Sequence, residues 1–313
     1  MSGQSSLALK EEGNRHFQRG DYVAAEALYT KAILADPINP LLYTNRAMAR
    51  LKMSRWDSVI EDCEECLRLS SLAPSTTTTT SSSTSSSGGC PYMAGKKPRA
   101  PGSKNFKALY YLSQAHLPLK NYDQAVDYAL QAHKICAETH DKSLAAVTSQ
   151  VLKCKKARWE HREKLRRREE QELEGEVVEL LRKEMEEALK TSSSAASNDD
   201  EEEEERKETE KMYREKIDRI IAVFDQVREK DQRRRPNPPD WAIDGISFQV
   251  MVDPVMTKTG KSYERASIEE HLRRSETDPL TRTPLTIKDL VPNIDLKNAC
   301  EEFLNENGWA ADW

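Results

Sequence analysis

The sequence predicts a mainly α chain: a solenoid of helical repeats over residues 6–139, a helical hairpin over 142–235, and a small α+β domain over 241–313. Three observations carry this. A pattern of small and aromatic residues spans 6–39, returns in register over 40–73, and returns again over 106–139. Residues 144–190 are rich in strong helix formers, with one glycine (Gly175) and no proline. Residues 241–313 spread apolar positions among prolines and hold one cysteine (Cys300) and one histidine (His271).

Composition bounds the partners. Acidic and basic residues nearly balance, 53 against 48, for a net charge of −5. A nucleic-acid-binding surface should be basic, so no nucleic acid is expected. No apolar run approaches a membrane span and residues 1–9 lack the hydrophobic stretch of a signal peptide, so no membrane is expected either. The six cysteines are scattered and form no disulfide framework. That fits a reducing compartment, with the cytoplasm as the expected location and the nucleus as a second.

In the first repeat, Gly13, Gly20, Asp21, Tyr22, Ala25, Tyr29, Ala32 and Pro37 follow one logic. Small residues sit where two helices cross, aromatics fill the gap between them, and proline ends the second helix. Tyr43, Ala47 and Trp56 mark the second copy, with Val59, Cys63 and Cys66 at core positions; Leu109, Leu112, Ala115, Tyr122, Ala125 and Ala132 mark the third. The pattern resembles the tetratricopeptide repeat, and three copies are about the minimum for a stable stack. Residues 74–105 interrupt it. Ser75 through Ser87 are all Ser or Thr, and a Gly, Pro and Lys stretch follows. Such a segment buries no apolar surface and predicts a disordered loop-out. Cys63 and Cys66 form a C-x-x-C pair, but no second pair lies nearby, so they read as helix-packing residues rather than a redox or metal site.

Lys10 and Asn14 are spaced i, i+4 and share one helix face. Asn45 falls on the equivalent helix of the second repeat, and Lys107 and Tyr111 form another i, i+4 pair in the third. First helices line the concave groove of such a stack, so two ammonium groups and two amides make a pocket for a carboxylate pair. The set resembles the carboxylate clamp that grips the Glu-Glu-Val-Asp tails of cytosolic heat-shock chaperones. The resemblance implies that Lys10, Asn14, Asn45 and Lys107 contact the terminal Asp, with Phe17, Tyr110 and Tyr111 shaping an apolar wall. It also shows a departure. Related clamps carry an acidic residue after the third repeat, where this chain has Ala146; Asp141 is the nearby candidate to replace it.

Along the hairpin, Val147, Val151 and Trp159 are expected to pack on the third repeat, while Lys155 to Glu174 is almost all charged and predicts a solvated helix. Residues 191–205, Ser/Ala then Asp/Glu, predict a flexible turn. A second helix runs to about Arg235, where Pro236, Pro238 and Pro239 break it. On that helix Tyr213, Ile217, Ile220, Phe224 and Val227 are spaced 4, 3, 4 and 3, one continuous seam that Ile221 widens. Leu173, Val177, Leu180, Leu181 and Met185 on the other helix offer partial cover. A second copy of the chain is the expected remaining cover, which makes the protein a homodimer.

The C-terminal domain has the densest pattern: Ile246-Ser247-Phe248, Asp253-Pro254-Val255-Met256, Gly260, Tyr263-Glu264-Arg265, Ile268, His271-Leu272, Asp278-Pro279-Leu280-Thr281-Arg282, Pro284-Leu285, Leu290-Val291-Pro292-Asn293 and Leu296-Lys297. It resembles the U-box family, the zinc-free relatives of the RING domain, and order with lengths extends the resemblance to U-box ligases that carry repeats and a hairpin upstream. One cysteine and one histidine cannot supply the eight ligands of a RING, so no metal or other cofactor is expected. The core falls instead to Ile246, Phe248, Val255, Ile268, Leu272, Leu285, Leu290, Ile294, Leu296 and Phe303. Asp253, Arg265, Glu269 and Arg282 are candidates for polar networks holding the two loops that zinc clamps in a RING. The resemblance implies a ubiquitin ligase without a nucleophile of its own. Ile246, Phe248 and Pro279 would dock a ubiquitin-conjugating enzyme, Arg282 would bridge that carrier and its ubiquitin, and His271 reads as structural. Clamp and U-box in one chain imply ubiquitin transfer to misfolded clients held by chaperones. The alternative is a non-enzymatic adaptor that only tethers chaperones.

Overall fold

The computed structural model describes residues 5–72, 105–192, 199–233 and 237–313. Six helices form the N-terminal stack: α1 (Ser6–Gln18), α2 (Tyr22–Ala35), α3 (Pro40–Lys52), α4 (Trp56–Leu72), α5 (Phe106–His116) and α6 (Tyr122–Thr139). Their starts are set locally. The Ser5 hydroxyl accepts from the Ala8 N–H at 3.3 Å, the Asp21 carboxylate accepts from Ala24 at 3.2 Å, and Asn39 caps α3 with Pro40 at its first position. The turn inside each repeat needs one left-handed residue, and it falls at Gly20 (φ 83), Ser54 (φ 57) and Lys120 (φ 61). Only the first copy uses the residue that adopts this conformation without strain.

Close crossing explains the small residues. A Cβ on Gly13 would lie 2.7 Å from the Tyr29 ring, so α1 and α2 approach only because Gly13 has none. Ala25, Ala32, Ala47, Val59, Leu112, Ala115 and Ala132 are fully buried between helices. Cys63 and Cys66 are buried in the same core, where burial pushes both thiols up. Cys66 Sγ and the Thr44 hydroxyl both accept from Asn105 Nδ2 at 3.0 Å. This buried contact ties the start of the third repeat to the second. The rest of the expected loop-out, 74–104, lies outside the described residues.

Beyond the stack run α7 (Leu144–Ser192) and α8 (Asp199–Arg233). The chain divides into two compact units, residues 1–158 with 241–313, and residues 159–240. The division therefore falls inside α7. Val147 and Val151 pack into the first unit as expected, whereas Trp159 belongs to the second. The acidic run expected as a flexible turn is corrected in part. Residues 199–205 are helical and form the start of α8. Residues 193–198 lie outside the described residues. Within the second unit Tyr213, Ile217, Ile220, Ile221 and Phe224 on α8 are half-buried, as are Val177, Leu181 and Met185 on α7, and Arg228 pairs with Glu174. The seam is thus partly covered by its own chain. Leu173, Leu180, Val223 and Val227 remain exposed.

The C-terminal domain is a three-stranded antiparallel sheet in the order β2-β1-β3, from β1 (Pro254–Met256), β2 (Ser262–Glu264) and β3 (Val291–Pro292), with α9 (Arg265–Leu272) and α10 (Ile294–Glu306). Val255, Tyr263, Ile268, Leu272 and Leu285 form its buried cluster, joined by Ile246 and Leu290, while Leu296 and Phe303 pack on a second cluster. Two residues expected in the core are not there: Phe248 is 69% exposed and Ile294 66%. The second cluster is shared with the repeats. Ala125, Val126 and Ala129 of α6 and Val151, Leu152 and Cys154 of α7 pack with Val250, Met251, Cys300 and Leu304. At its edge His140 Nδ1 meets the buried Glu269 carboxylate at 2.9 Å, the Arg273 guanidinium donates to the His140 carbonyl at 2.8 Å, and Arg158 donates to Asn305 at 2.9 Å.

Candidate functional site

Two loops of the C-terminal domain are built alike. One is closed by a bridge between Ile243 and Val250, the other by a bridge between Thr277 and Pro284. Each has a buried aspartate in the second position, Asp244 (0% exposed) and Asp278 (1%). In the first loop the Asp244 N–H donates to Gln249 O at 2.9 Å, and its carboxylate accepts from the Ser247 N–H at 2.8 Å. In the second the Asp278 N–H donates to Thr283 O at 2.9 Å, and its carboxylate accepts from Leu280 at 2.9 Å and Thr281 at 3.1 Å. Burial works against the Asp278 carboxylate, but these N–H groups and the Thr259 hydroxyl outweigh it and hold its pKa below the usual range. Consecutive residues of β2 anchor both loops: the Glu264 N–H donates to Asp244 Oδ1 at 3.0 Å, and the Tyr263 hydroxyl donates to Asp278 Oδ1 at 3.4 Å. His271 Nε2 meets Thr277 O at 2.9 Å, a structural contact as expected.

Each loop ends on a non-glycine residue in the left-handed region whose N–H donates back to its aspartate's carbonyl: Phe248 (φ 58) to Asp244 O at 3.0 Å, and Arg282 (φ 56) to Asp278 O at 2.9 Å. The result is two fixed loops carrying exposed side chains, Phe248 on one and Pro279, Leu280 and Arg282 on the other. Ile246 is half-buried and roots the first loop in the domain core. It also lines a cleft of about 360 Å³ with Thr148, Ser149 and Leu152 of α7.

The polar networks differ from those expected. Asp253 does bind Arg265 (2.5 Å) and Lys297 (2.9 Å), and these partners overcome burial to hold its pKa low. Glu269 pairs with His140, away from the loops, and Arg282 is in no network among the described residues because it points outward. Asp244 and Asp278 do the work instead. Their spacing relative to Phe248 and Arg282, four residues in each loop, was the signal available in the sequence.

In the repeats two of the expected clamp residues, Asn14 and Asn45, meet. Asn14 Oδ1 accepts from the Tyr29 hydroxyl at 2.8 Å and from Asn45 Nδ2 at 3.4 Å, which brings the amides of α1 and α3 together. Lys10 lies one turn before Asn14 on α1, and Lys107 stands exposed near the start of α5. Neither lysine has an ion pair among the described residues. Tyr110 and Tyr111 are adjacent, with ring centroids 5.9 Å apart, and burial pushes the Tyr111 hydroxyl up to about 12. Phe17 packs on Ala25, Tyr29 and Ala49, with its ring 5.2 Å from Tyr22. Beside Tyr110 lies a cleft of about 540 Å³ that also takes in Lys52, Trp56, Gln114, Ala146 and Lys153. Lys52 and Gln114 were not singled out in the sequence, although Gln114 falls one turn after Tyr110 on α5. Asp141 does not fill the place of Ala146: its carboxylate accepts from the Ser143 N–H at 2.8 Å and shapes the entry to α7.

The U-box domain family model matches residues 238–309, the sheet-and-helix domain whose two aspartate-held loops present Phe248 on one and Pro279 and Arg282 on the other. The chain is a ubiquitin ligase of the U-box class. A second model, described as the CHIP N-terminal tetratricopeptide repeat domain, matches residues 154–234, which fall on α7 and α8 rather than on the three repeats. The E3 ubiquitin-protein ligase CHIP of Arabidopsis thaliana is 27% identical over 305 residues, covering 96% of this chain and 94% of the relative. The chain is therefore a CHIP-like U-box ligase. The ubiquitin conjugation factor E4 of Schizosaccharomyces pombe is 42% identical over 67 residues, 21% of this chain and 7% of that protein. Among solved structures, the second repeat domain of Spaghetti bound to the HSP90 peptide SRMEEVD is 25% identical, with a TM-score of 0.30, covering 42% of this chain and 91% of that one.

Proposed function

We propose that the chain ubiquitinates clients delivered by heat-shock chaperones whose C-terminal tails end in Glu-Glu-Val-Asp. The observation that carries this is the meeting of Asn14 and Asn45, with Lys10 one turn before Asn14 on α1 and Lys107 exposed on α5, neither lysine in an ion pair among the described residues. Two amides and two cations fit a terminal carboxylate and its neighbouring side-chain carboxylate. At the other end Ile246, Phe248 and Pro279 dock a ubiquitin-charged conjugating enzyme. Arg282 hydrogen-bonds across carrier and ubiquitin, so that the thioester is held open to a client lysine. Catalysis is positional, and the ligase supplies orientation rather than a nucleophile. A purely tethering adaptor would have no use for Phe248 and Arg282 held out on fixed loops.

The same reading makes the protein a homodimer. Val223 and Val227 beside the half-covered seam of α8, and Val291 and Ile294 at the β3 edge of the sheet, are apolar surfaces that a second copy would cover.

Calorimetry tests the clamp. A peptide ending in Glu-Glu-Val-Asp should bind the full chain, while Lys10→Ala or Lys107→Ala should weaken it about thirtyfold or more, the usual cost of removing one partner of a desolvated charge pair. Unchanged affinity in both variants would remove the tail from the account.

A further inference from the structure

We propose that the cleft next to the clamp selects an acidic segment upstream of the bound tail, so that the repeats read charge beyond the last four residues. This rests on the tail-binding reading above and deepens it. The cleft begins at Tyr110, one turn on from Lys107 along α5, within reach of the chain upstream of a tail anchored at Lys107. Its far wall is one face of α7, with Ala146, Ser149, Gln150 and Lys153 at i, i+3, i+4 and i+7.

The chemistry of the lining is one-sided. Trp56 and Tyr110 give an apolar floor, and Lys52 and Lys153 give two exposed ammonium groups from opposite walls. Neither lysine has an ion pair among the described residues, and no carboxylate lines the cleft. Ala146 stands on its rim, and the nearby Asp141 is engaged at the start of α7. A cleft of about 540 Å³ has room for two or three side chains of an extended peptide. With cations on both walls and no anion between them, the occupant it fits is a segment bearing carboxylates. A basic segment would meet only like charge there. Lys153 is thereby a specificity residue that acts on the segment before the tail and leaves the terminal Asp alone.

Fluorescence anisotropy on the full chain tests this with three labelled peptides. One is the bare Glu-Glu-Val-Asp tail. The other two extend it upstream by the same apolar residue and either two Glu or two Lys. The acidic extension should bind about threefold to tenfold more tightly than the basic one at low salt, the scale expected of two partly exposed ion pairs, and the gap should close at high salt. Lys153→Glu should abolish or reverse the preference while leaving the affinity for the bare tail unchanged. Equal affinities for the two extended peptides, or a preference that survives in Lys153→Glu, would overturn the inference while the clamp stands. Failure of the bare tail to bind would overturn the tail reading and this inference together.

Discussion

At the scale of single residues, two aspartates hold the loops of the U-box. Asp244 and Asp278 each close a loop through backbone donors and set the backbone of the exposed residue four positions on. Asp278→Ala would leave the Leu280 and Thr281 N–H groups without their acceptor, at a cost of about 1–3 kcal/mol. It should lower the melting temperature and slow discharge of ubiquitin from the carrier about tenfold or more by releasing Arg282. Asp278→Asn, which keeps one acceptor oxygen, should recover part of both. Full discharge activity in Asp278→Ala would show that the loop is held some other way. Glu264 offers a different readout. Burial pushes its carboxyl from 4.5 up to about 7, against the pull of the Asp253 and Val252 N–H groups. A raised folded-state pKa gives stability that is complete below about pH 4.5 and is lost as pH rises through 7. Glu264→Gln should therefore match the wild type near pH 4.5 and exceed it above pH 7 by up to roughly 3 kcal/mol. Parallel stability curves across that window would contradict it. Asp244 was not singled out in the sequence, and Asp278 and Glu264 entered only as members of the family pattern with no role assigned, because a charged side chain reads alike whether it is solvated or buried among backbone donors.

Elements were more legible. Repeats announce themselves because each helix crossing demands small residues at fixed spacing, and Gly13 against Tyr29 shows the demand directly. The meeting of Asn14 and Asn45 was legible for the same reason, since the register of first helices sets both on the equivalent helix of successive repeats. The acidic run at 199–205 misled, since composition speaks for flexibility while the backbone there is already the start of α8. The hairpin seam was legible as a seam, but its cover was not. In one chain Tyr213, Ile217, Ile220 and Phe224 are only half-buried, and Val227 is 48% exposed. Ile220→Asp with Phe224→Asp should yield monomers by light scattering at micromolar concentration and weaken ligation, since a dimer holds clamp and U-box modules on one particle. A wild-type chain that is monomeric at that concentration would remove the dimer.

At the scale of the whole molecule, the repeats and U-box form one compact unit through a shared core of small apolar residues from α6, α7 and the C-terminal domain. Nothing in the sequence marks that core as an interface, because Ala125, Ala129, Val151 and Cys300 are equally suited to either domain's interior. The consequence is that the proposed tail site and the proposed carrier site sit on one framework within the chain. The account's central claim is that these two sites are separate devices with one joint product. A reconstituted reaction with chaperone-bound client, a conjugating enzyme and ubiquitin tests it most directly when client and ligase modification are followed together. Lys10→Ala with Lys107→Ala should abolish client ubiquitination and leave autoubiquitination intact, whereas Phe248→Ala should abolish both. Client ubiquitination that persists in the double lysine variant, or autoubiquitination that persists in Phe248→Ala, would contradict the account.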